Sequence, residues 1–333
     1  MCILEVDDMC TAIAYHTNDH YFGRNLDVEA CFNETITITP RNVPLTFRRK
    51  PTMQKHYAMI GIAYVLDEYP LYYDAVNEKG LGVAGLRFAG YADYQVYTGG
   101  KDEITPYELI PWILGQCACV QQAKKLLADL QLIDLPFRED LPPSPLHWMI
   151  SDQHSSIVLE SCSDGLHIYD DPVNVLTNNP PFPYHLIHLN DFMQISPQEP
   201  CNQFARRLNL KTYCLGMGAM GLPGDCSSAS RFVRAAFAVQ NAVCDGTEEQ
   251  SVSQFFHILQ SVSQIRGCVY TADGQCETTA YSCCCNLDRG IYYYTTYDNT
   301  CVTAVDLHRE NLDGTALVSW PLVKKQKIVF QNK

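Results

Sequence analysis

Apolar and polar positions alternate with a period of two at the start of the chain. Residues 11–15 (Thr-Ala-Ile-Ala-Tyr) read as a strand, 16–20 as a polar turn and 21–27 as a second short strand, which predicts a hairpin. Residues 34–39 alternate Ile with Thr, as a half-buried strand does, and 57–66 and 81–88 are apolar runs of strand length. The period then changes. Thr105-Pro106-Tyr107-Glu108 combines a capping box with Pro at the first helical position, and Leu109, Ile110, Ile113 and Leu114 follow at helical spacing. A second helix is predicted over 120–130. Strands return at 146–151, 156–161, 166–169 and 173–177. Residues 180–225 are rich in Pro and Gly, with room for one short helical stretch; a loop of that length in a compact domain is functional or assembles subunits. Helices are predicted over 228–243 and 251–262, the second with Gln254 completing a capping box on Ser251. A hairpin of 278–286 and 291–297 turns at Asp288-Arg289-Gly290, and strands near 301–307 and 314–320 close the chain. Antiparallel groups at both ends, with two pairs of helices between them, give an α+β class compatible with two sheets layered between helices.

Composition narrows the picture. The chain has 333 residues, 47% hydrophobic and 18% charged, enough for a packed core. No linker, charge block or repeat divides it, so a single domain is expected. A net charge of −13 and the lack of any basic cluster beyond short groups such as Arg48-Arg49-Lys50 argue against nucleic acid. The longest nearly apolar run, 58–66, is too short to span a membrane. Asp7 and Asp8 stand where a secretory signal would carry basic residues, so the sixteen cysteines read as reduced thiols in a cytoplasmic protein. They form no C-x-x-C pair, and Cys117-x-Cys119 and Cys283-Cys284-Cys285 are poor zinc spacings, so no metal is expected.

Most motif-like features carry no chemistry. Gly216-Met217-Gly218-Ala219-Met220-Gly221 fits G-x-G-x-x-G, but Leu222-Pro223-Gly224-Asp225 follows in place of a helix, so the glycines read as turns. His185 and His188 are an incidental pair. No serine-hydrolase elbow, zincin or P-loop pattern is present. The remaining candidate is a cysteine near the N-terminus. At a free N-terminus its thiol is the nucleophile and its own α-amine, with a pKa of about 7.7–8.0, is the base. A carboxylate must orient the amine, a cation must hold the thiolate, and N–H donors must face the oxyanion. On residue type alone, Cys10 reads as an ordinary buried cysteine.

Longer motifs add to this. Met9-Cys10-Thr11-Ala12-Ile13 and Phe22-Gly23-Arg24-Asn25-Leu26-Asp27 resemble the opening of the choloylglycine hydrolase family, which comprises bile salt hydrolases and penicillin V acylases. Asn77-Glu78-Lys79-Gly80-Leu81, Pro145-Leu146-His147-Trp148, Val175-Leu176-Thr177-Asn178-Asn179-Pro180, Gly221-Leu222-Pro223-Gly224-Asp225, Ser230-Arg231-Phe232 and Gly290-Ile291-Tyr292-Tyr293-Tyr294 follow in the family's order. The resemblance implies a four-layer αββα sandwich of the N-terminal-nucleophile (Ntn) hydrolase type, spanning 10–333, with no cofactor. It implies hydrolysis of glycine- or taurine-conjugated bile acids, with penicillin V acylase and a non-catalytic Ntn-fold protein as alternatives. By family position, Cys10 is the nucleophile, Arg24 the cation beside it, and Asp27 the carboxylate for the α-amine. Asn178 is the oxyanion-hole asparagine and Arg231 the supporting arginine. Leu26, Phe137 and Leu141 are candidate walls for the steroid. The family also implies a homotetramer, with 185–220 as the assembly loop.

Two departures stand out. Arg87 occupies a position where the family usually has Asn; its backbone N–H can still serve the oxyanion, so the expected effect is on substrate choice, by favouring an anionic leaving end such as taurine or glycine or by narrowing the pocket. Residues 1–9 precede Cys10, and Cys2 lacks the motif's following residues. A translation start at Met9, autocatalytic removal of a short propeptide, and a retained, inactivating extension are three readings of that segment.

Overall fold

The alternation at the start of the chain folds into the predicted hairpin: β1 (Cys10–His16) pairs antiparallel with β2 (His20–Val28), setting Cys10 opposite Leu26 and Ala12 opposite Arg24. The computed structural model describes residues 9–29, 33–100 and 102–332. The remaining strands are β3 (Thr35–Thr39), β4 (Met59–Leu66), β5 (Tyr69–Asn77), β6 (Gly82–Arg87), β7 (Glu103–Ile104), β8 (Gln131–Leu132), β9 (Leu146–Ser151), β10 (Ser156–Cys162), β11 (Gly165–Asp170), β12 (Val175–Leu176), β13 (Thr278–Asn286), β14 (Ile291–Thr296), β15 (Asn299–Asp306) and β16 (Val318–Pro321). The helices are α1 (Leu109–Gln116), α2 (Val120–Leu127), α3 (Phe182–His188), α4 (Ser228–Asn241) and α5 (Glu248–Gln260).

Two sheets form the centre. One has the order β12-β1-β2-β13-β14-β15, the other β11-β10-β9-β6-β5-β4-β3-β16. Side chains alternate across each strand. Phe22 and Arg24 of β2 therefore point at the second sheet, where Phe22 lies over Gly82, while Asn25 points the other way and donates to Leu259 O of α5 at 2.9 Å. Phe232 and Val239 of α4, with Phe255 and Leu259 of α5, share a core with the six-stranded sheet. Leu109, Ile113 and Leu127 of α1 and α2 pack with Val83, Trp148 and Ile150 on the far face of the eight-stranded sheet. Each such side chain contributes roughly 1.5–3 kcal/mol on burial. The layers run helix, sheet, sheet, helix: the αββα sandwich. No helix among the described residues is long and apolar enough to cross a membrane.

The differences from the sequence reading have local causes. β5 was not expected, because Pro70 and Asp74 interrupt its apolar run; Asp67 and Glu68, both with positive φ, make the two-residue turn that pairs it with β4. α2 ends at Leu127, short of 130. The helix predicted from Ser251 starts at Glu248 with Thr247 as its N-cap, and Ser251 is buried inside it, at 2.8 Å from Thr17 Oγ1. The first turn after Thr105 is a tight 3₁₀ turn, with Thr105 Oγ1 donating to Glu108 at 2.7 Å.

Candidate active site

Cross-strand neighbours share a face, so the hairpin brings Cys10, Leu26 and Arg24 to one side of the first sheet. Arg24 Nη2 donates to Cys10 Sγ at 2.5 Å. The guanidinium also donates to Asn25 O and Tyr73 O, each at 3.2 Å, and to Gly85 O. The Tyr73 contact has a structural origin. Pairing between β4 and β5 passes from Ile62↔Asp74 to Ala63↔Tyr72, which leaves Tyr73 as the extra residue of a bulge, with its carbonyl accepting from Arg24. The neighbouring Asp74 is buried and accepts from Tyr281 Oη at 2.6 Å, from Tyr292 Oη and from Cys283 Sγ at 3.4 Å. Burial pushes the Asp74 carboxyl up against the pull of Arg24 and its hydroxyl donors. Burial works against the Arg24 charge, but Cys10, Tyr281, Asp74 and Cys283 together outweigh it and raise its pKa. The result is a buried cation fixed beside the thiol, the environment that favours a thiolate.

A second group holds the main chain at Cys10. Asn178, just after β12, accepts from Cys10 N–H at 2.8 Å and from Arg231 Nη2 at 2.7 Å, both on Oδ1. Two donors on Oδ1 fix the amide orientation, so Nδ2 donates to Arg87 O at 2.8 Å. Arg231, in the first turn of α4, also donates to Cys10 O, to Thr11 Oγ1 at 2.7 Å and to Cys226 O at 3.0 Å. Burial lowers the Arg231 pKa, while Asp27, Cys10 and Glu277 oppose that shift. Asp27 N–H donates to Met9 O at 3.0 Å, and Met9 N–H donates to the buried Glu277 at 2.5 Å. Asp27 Oδ1 accepts from Thr279 Oγ1 at 2.5 Å, while Oδ2 is buried without a partner among the described residues. Burial raises the Asp27 pKa to about 6, against Arg231, Thr279 and Arg24. All five predicted chemical residues are at most 3% exposed.

Cys10 and Arg24 sit in the wall of a cleft of about 230 Å³ whose lining includes Leu26, Arg87, Phe137 and Leu141. The structure thus brings all four predicted substrate residues to one cavity, and places Asp27, Asn178 and Arg231 around the main chain of Met9 and Cys10. Phe88 N–H donates to Pro145 O at 2.9 Å, which makes Arg87↔Leu146 a non-hydrogen-bonded pair. The Arg87 N–H and C=O therefore point away from β9, to the side where Asn178 and Arg24 lie; β5 has ceased to pair there beyond Asp74↔Ala84. Arg87 Nε is buried without a partner among the described residues.

Sequence reasoning missed Tyr73, Asp74, Glu277 and Thr279. A buried Asp inside an apolar run was the available signal for Asp74. The glycines at 216–221 lie in a loop around a short 3₁₀ turn at Met217–Ala219. His185 and His188 do not act together: His185 Nε2 lies 3.0 Å from Asn178 O, and His188 pairs with Asp191. Among the described residues no group of three or more His, Cys, Asp or Glu is placed to hold a metal.

The sequence profile of the linear amide C–N hydrolases, choloylglycine hydrolase family, matches residues 10–320. The chain is 54% identical to the bile salt hydrolase/transferase of Lactiplantibacillus plantarum, over 94% of this chain and 97% of that protein. It is 37% identical to the bile salt hydrolase/transferase of Clostridium perfringens, over 97% and 100%. A cysteine-to-alanine mutant of the conjugated bile acid hydrolase from Clostridium perfringens superposes with a TM-score of 0.91 at 36% identity, covering 97% of this chain and 100% of that one. The penicillin V acylase of Agrobacterium tumefaciens, at 19% identity and a TM-score of 0.75 over 93% and 90% of the two chains, shares the fold. The chain is an enzyme of the choloylglycine hydrolase family of linear amide C–N hydrolases.

Proposed function

We propose that the chain hydrolyses the amide bond of glycine- or taurine-conjugated bile acids, using Cys10 as an N-terminal nucleophile in a single domain of residues 10–333 freed from residues 1–9. The observation that carries this reading is Cys10 Sγ, 2.5 Å from Arg24 in the wall of an apolar cleft, with Asn178 and Arg231 gripping its main chain. The names of the relatives supply the substrate: they are bile salt and conjugated bile acid hydrolases.

Removal of Met9 leaves an α-amine on Cys10 beside Asp27, whose Oδ2 then has a donor to accept from. The amine takes the thiol proton, and Arg24 holds the thiolate. The sulfur attacks the amide carbonyl, and the oxyanion is met by Asn178 Nδ2 and the Arg87 N–H. The C–N bond breaks as the α-ammonium returns a proton to the leaving glycine or taurine. Water, deprotonated by the amine, then cleaves the thioester and releases the bile acid. The apolar walls at Leu26, Phe137 and Leu141 suit the steroid, and the Arg87 guanidinium suits the carboxylate or sulfonate at the far end of the leaving group. The free thiols among the described cysteines fit a cytoplasmic enzyme. The exposed Ile187, Met193, Phe204, Tyr213 and Leu215 fit an assembly surface of a homotetramer.

The test compares rates on taurocholate, glycocholate and penicillin V, with Cys10→Ala as control. Cleavage of the two bile conjugates, lost in Cys10→Ala, is expected. Faster cleavage of penicillin V, or full activity in Cys10→Ala, contradicts the reading.

A further inference from the structure

His147 lies wholly buried between the two sheets, and no step described above uses it. It stands on β9 opposite Leu86 of β6. Its Nδ1 is 3.0 Å from Glu160 Oε1 on the neighbouring β10, and its Nε2 is 2.8 Å from Thr177 O, just past the end of β12 of the other sheet. A carbonyl and an ionised carboxylate are both acceptors, so with Glu160 ionised both ring nitrogens carry protons when both bonds form. Glu160 Oε1 accepts a second N–H, from Phe182 at 2.9 Å, as a carboxylate oxygen does. The ring stacks on Phe88 with centroids 4.4 Å apart and planes within 6°. Both hydrogen bonds to Glu160 fall on Oε1, while Oε2 is buried without a partner among the described residues; the cation also has the aromatic face of Phe88 against it.

The placement matters because of what lies next to each contact. Thr177 precedes Asn178, and Phe88 follows Arg87. One side chain therefore spans the two segments that carry the proposed oxyanion donors, and it does so across the gap between the sheets. The rest of the Asn178 main chain is fixed separately: its N–H donates to Ser228 Oγ at 2.9 Å, and its carbonyl faces His185 Nε2. Burial holds His185 down to about 4, with the charge of His147 acting in the same direction, so His185 stays neutral.

We propose that His147, as an imidazolium paired with Glu160, is a positioning residue that sets the separation of the two halves of the oxyanion hole, Arg87 and Asn178. It acts through Thr177 and Phe88 and does not touch the substrate. This rests on the oxyanion assignment made under the proposed function.

Two measurements test it. In ¹⁵N-labelled wild-type protein, long-range ¹H–¹⁵N spectra are expected to show both His147 nitrogens protonated, and Glu160→Gln is expected to abolish that state. A neutral, single-tautomer His147 in the wild type overturns the proposal whether or not any variant folds. In His147→Gln, kcat on taurocholate is expected to fall about 10- to 100-fold. KM and the rate of Cys10 alkylation by iodoacetamide are expected to hold within about 2-fold, because alkylation needs the thiolate but no oxyanion hole. Unchanged kcat, or hydrolysis and alkylation falling together, overturns it. Wild-type protein that alkylates but cleaves no bile conjugate counts against the functional reading instead, and leaves the spectroscopic result standing.

Discussion

Asp27 is a carboxyl group whose burial costs more than its neighbours return. Its folded pKa of about 6 lies above the ordinary 3.8, so between those values the folded chain holds a proton that the unfolded chain has released. Stability then falls as pH rises through that window, by about 3 kcal/mol in all. Asp27→Asn, in the chain that keeps Met9, is expected to match this pattern in urea unfolding. Its stability relative to the parent should rise by about that amount between pH 3.5 and 7.5; no change in the difference contradicts the assignment. Arg87 supports a prediction about choice of substrate. Arg87→Asn is expected to lower kcat/KM for conjugates with an anionic amino acid by about tenfold, equivalent to one charge-assisted hydrogen bond. Rates on penicillin V should change less, and an unchanged preference contradicts a role for the guanidinium. At this scale the sequence is readable where residues sit in motifs: the resemblance picks out Cys10, Arg24, Asp27, Asn178 and Arg231, and the fold collects them around one point. Asp74 and His147 were not legible as supports, because their partners lie far off in sequence: Tyr281 and Tyr292 on the opposite sheet, and Thr177 just past the end of β12.

At the scale of elements, hairpins and helices with local signals were readable and their limits less so. The β1–β2 hairpin follows from alternation alone. The capping box at Thr105 was visible and forms, whereas the one read at Ser251 was not real; Thr247, followed three residues on by Gln250, carried the same pattern at the true start of α5. β5 was hidden because a strand that carries a buried Asp breaks the apolar pattern that identifies strands. Gly23 tests how tightly β2 is set. A Cβ there would lie 2.0 Å from Cys283 O on the neighbouring strand, where only main chain could move. Gly23→Ala is expected to destabilise the fold by about 3 kcal/mol. It should also reduce activity, because Arg24 is the next residue. A urea midpoint like that of the parent shows that the sheet can give.

At the scale of the molecule, the αββα layering fixes the start of β1 at the cleft: β1 is held between β12 and β2, and the cleft opens where β5 and β6 part. The antiparallel grouping made α+β legible from pattern; the order of the sheets was not, since β2 pairs with β13 across most of the chain length. The exposed apolar side chains between 187 and 215 predict self-association. Light scattering after gel filtration should report a tetramer, and Phe204→Ser with Leu215→Ser should shift it toward smaller species; a monomeric parent contradicts this. Whether Cys10 acts from a free N-terminus is read from the intact mass of protein that is turning over taurocholate. A chain that begins at Cys10 is expected, and a fully active chain that still carries Met9 contradicts the N-terminal role.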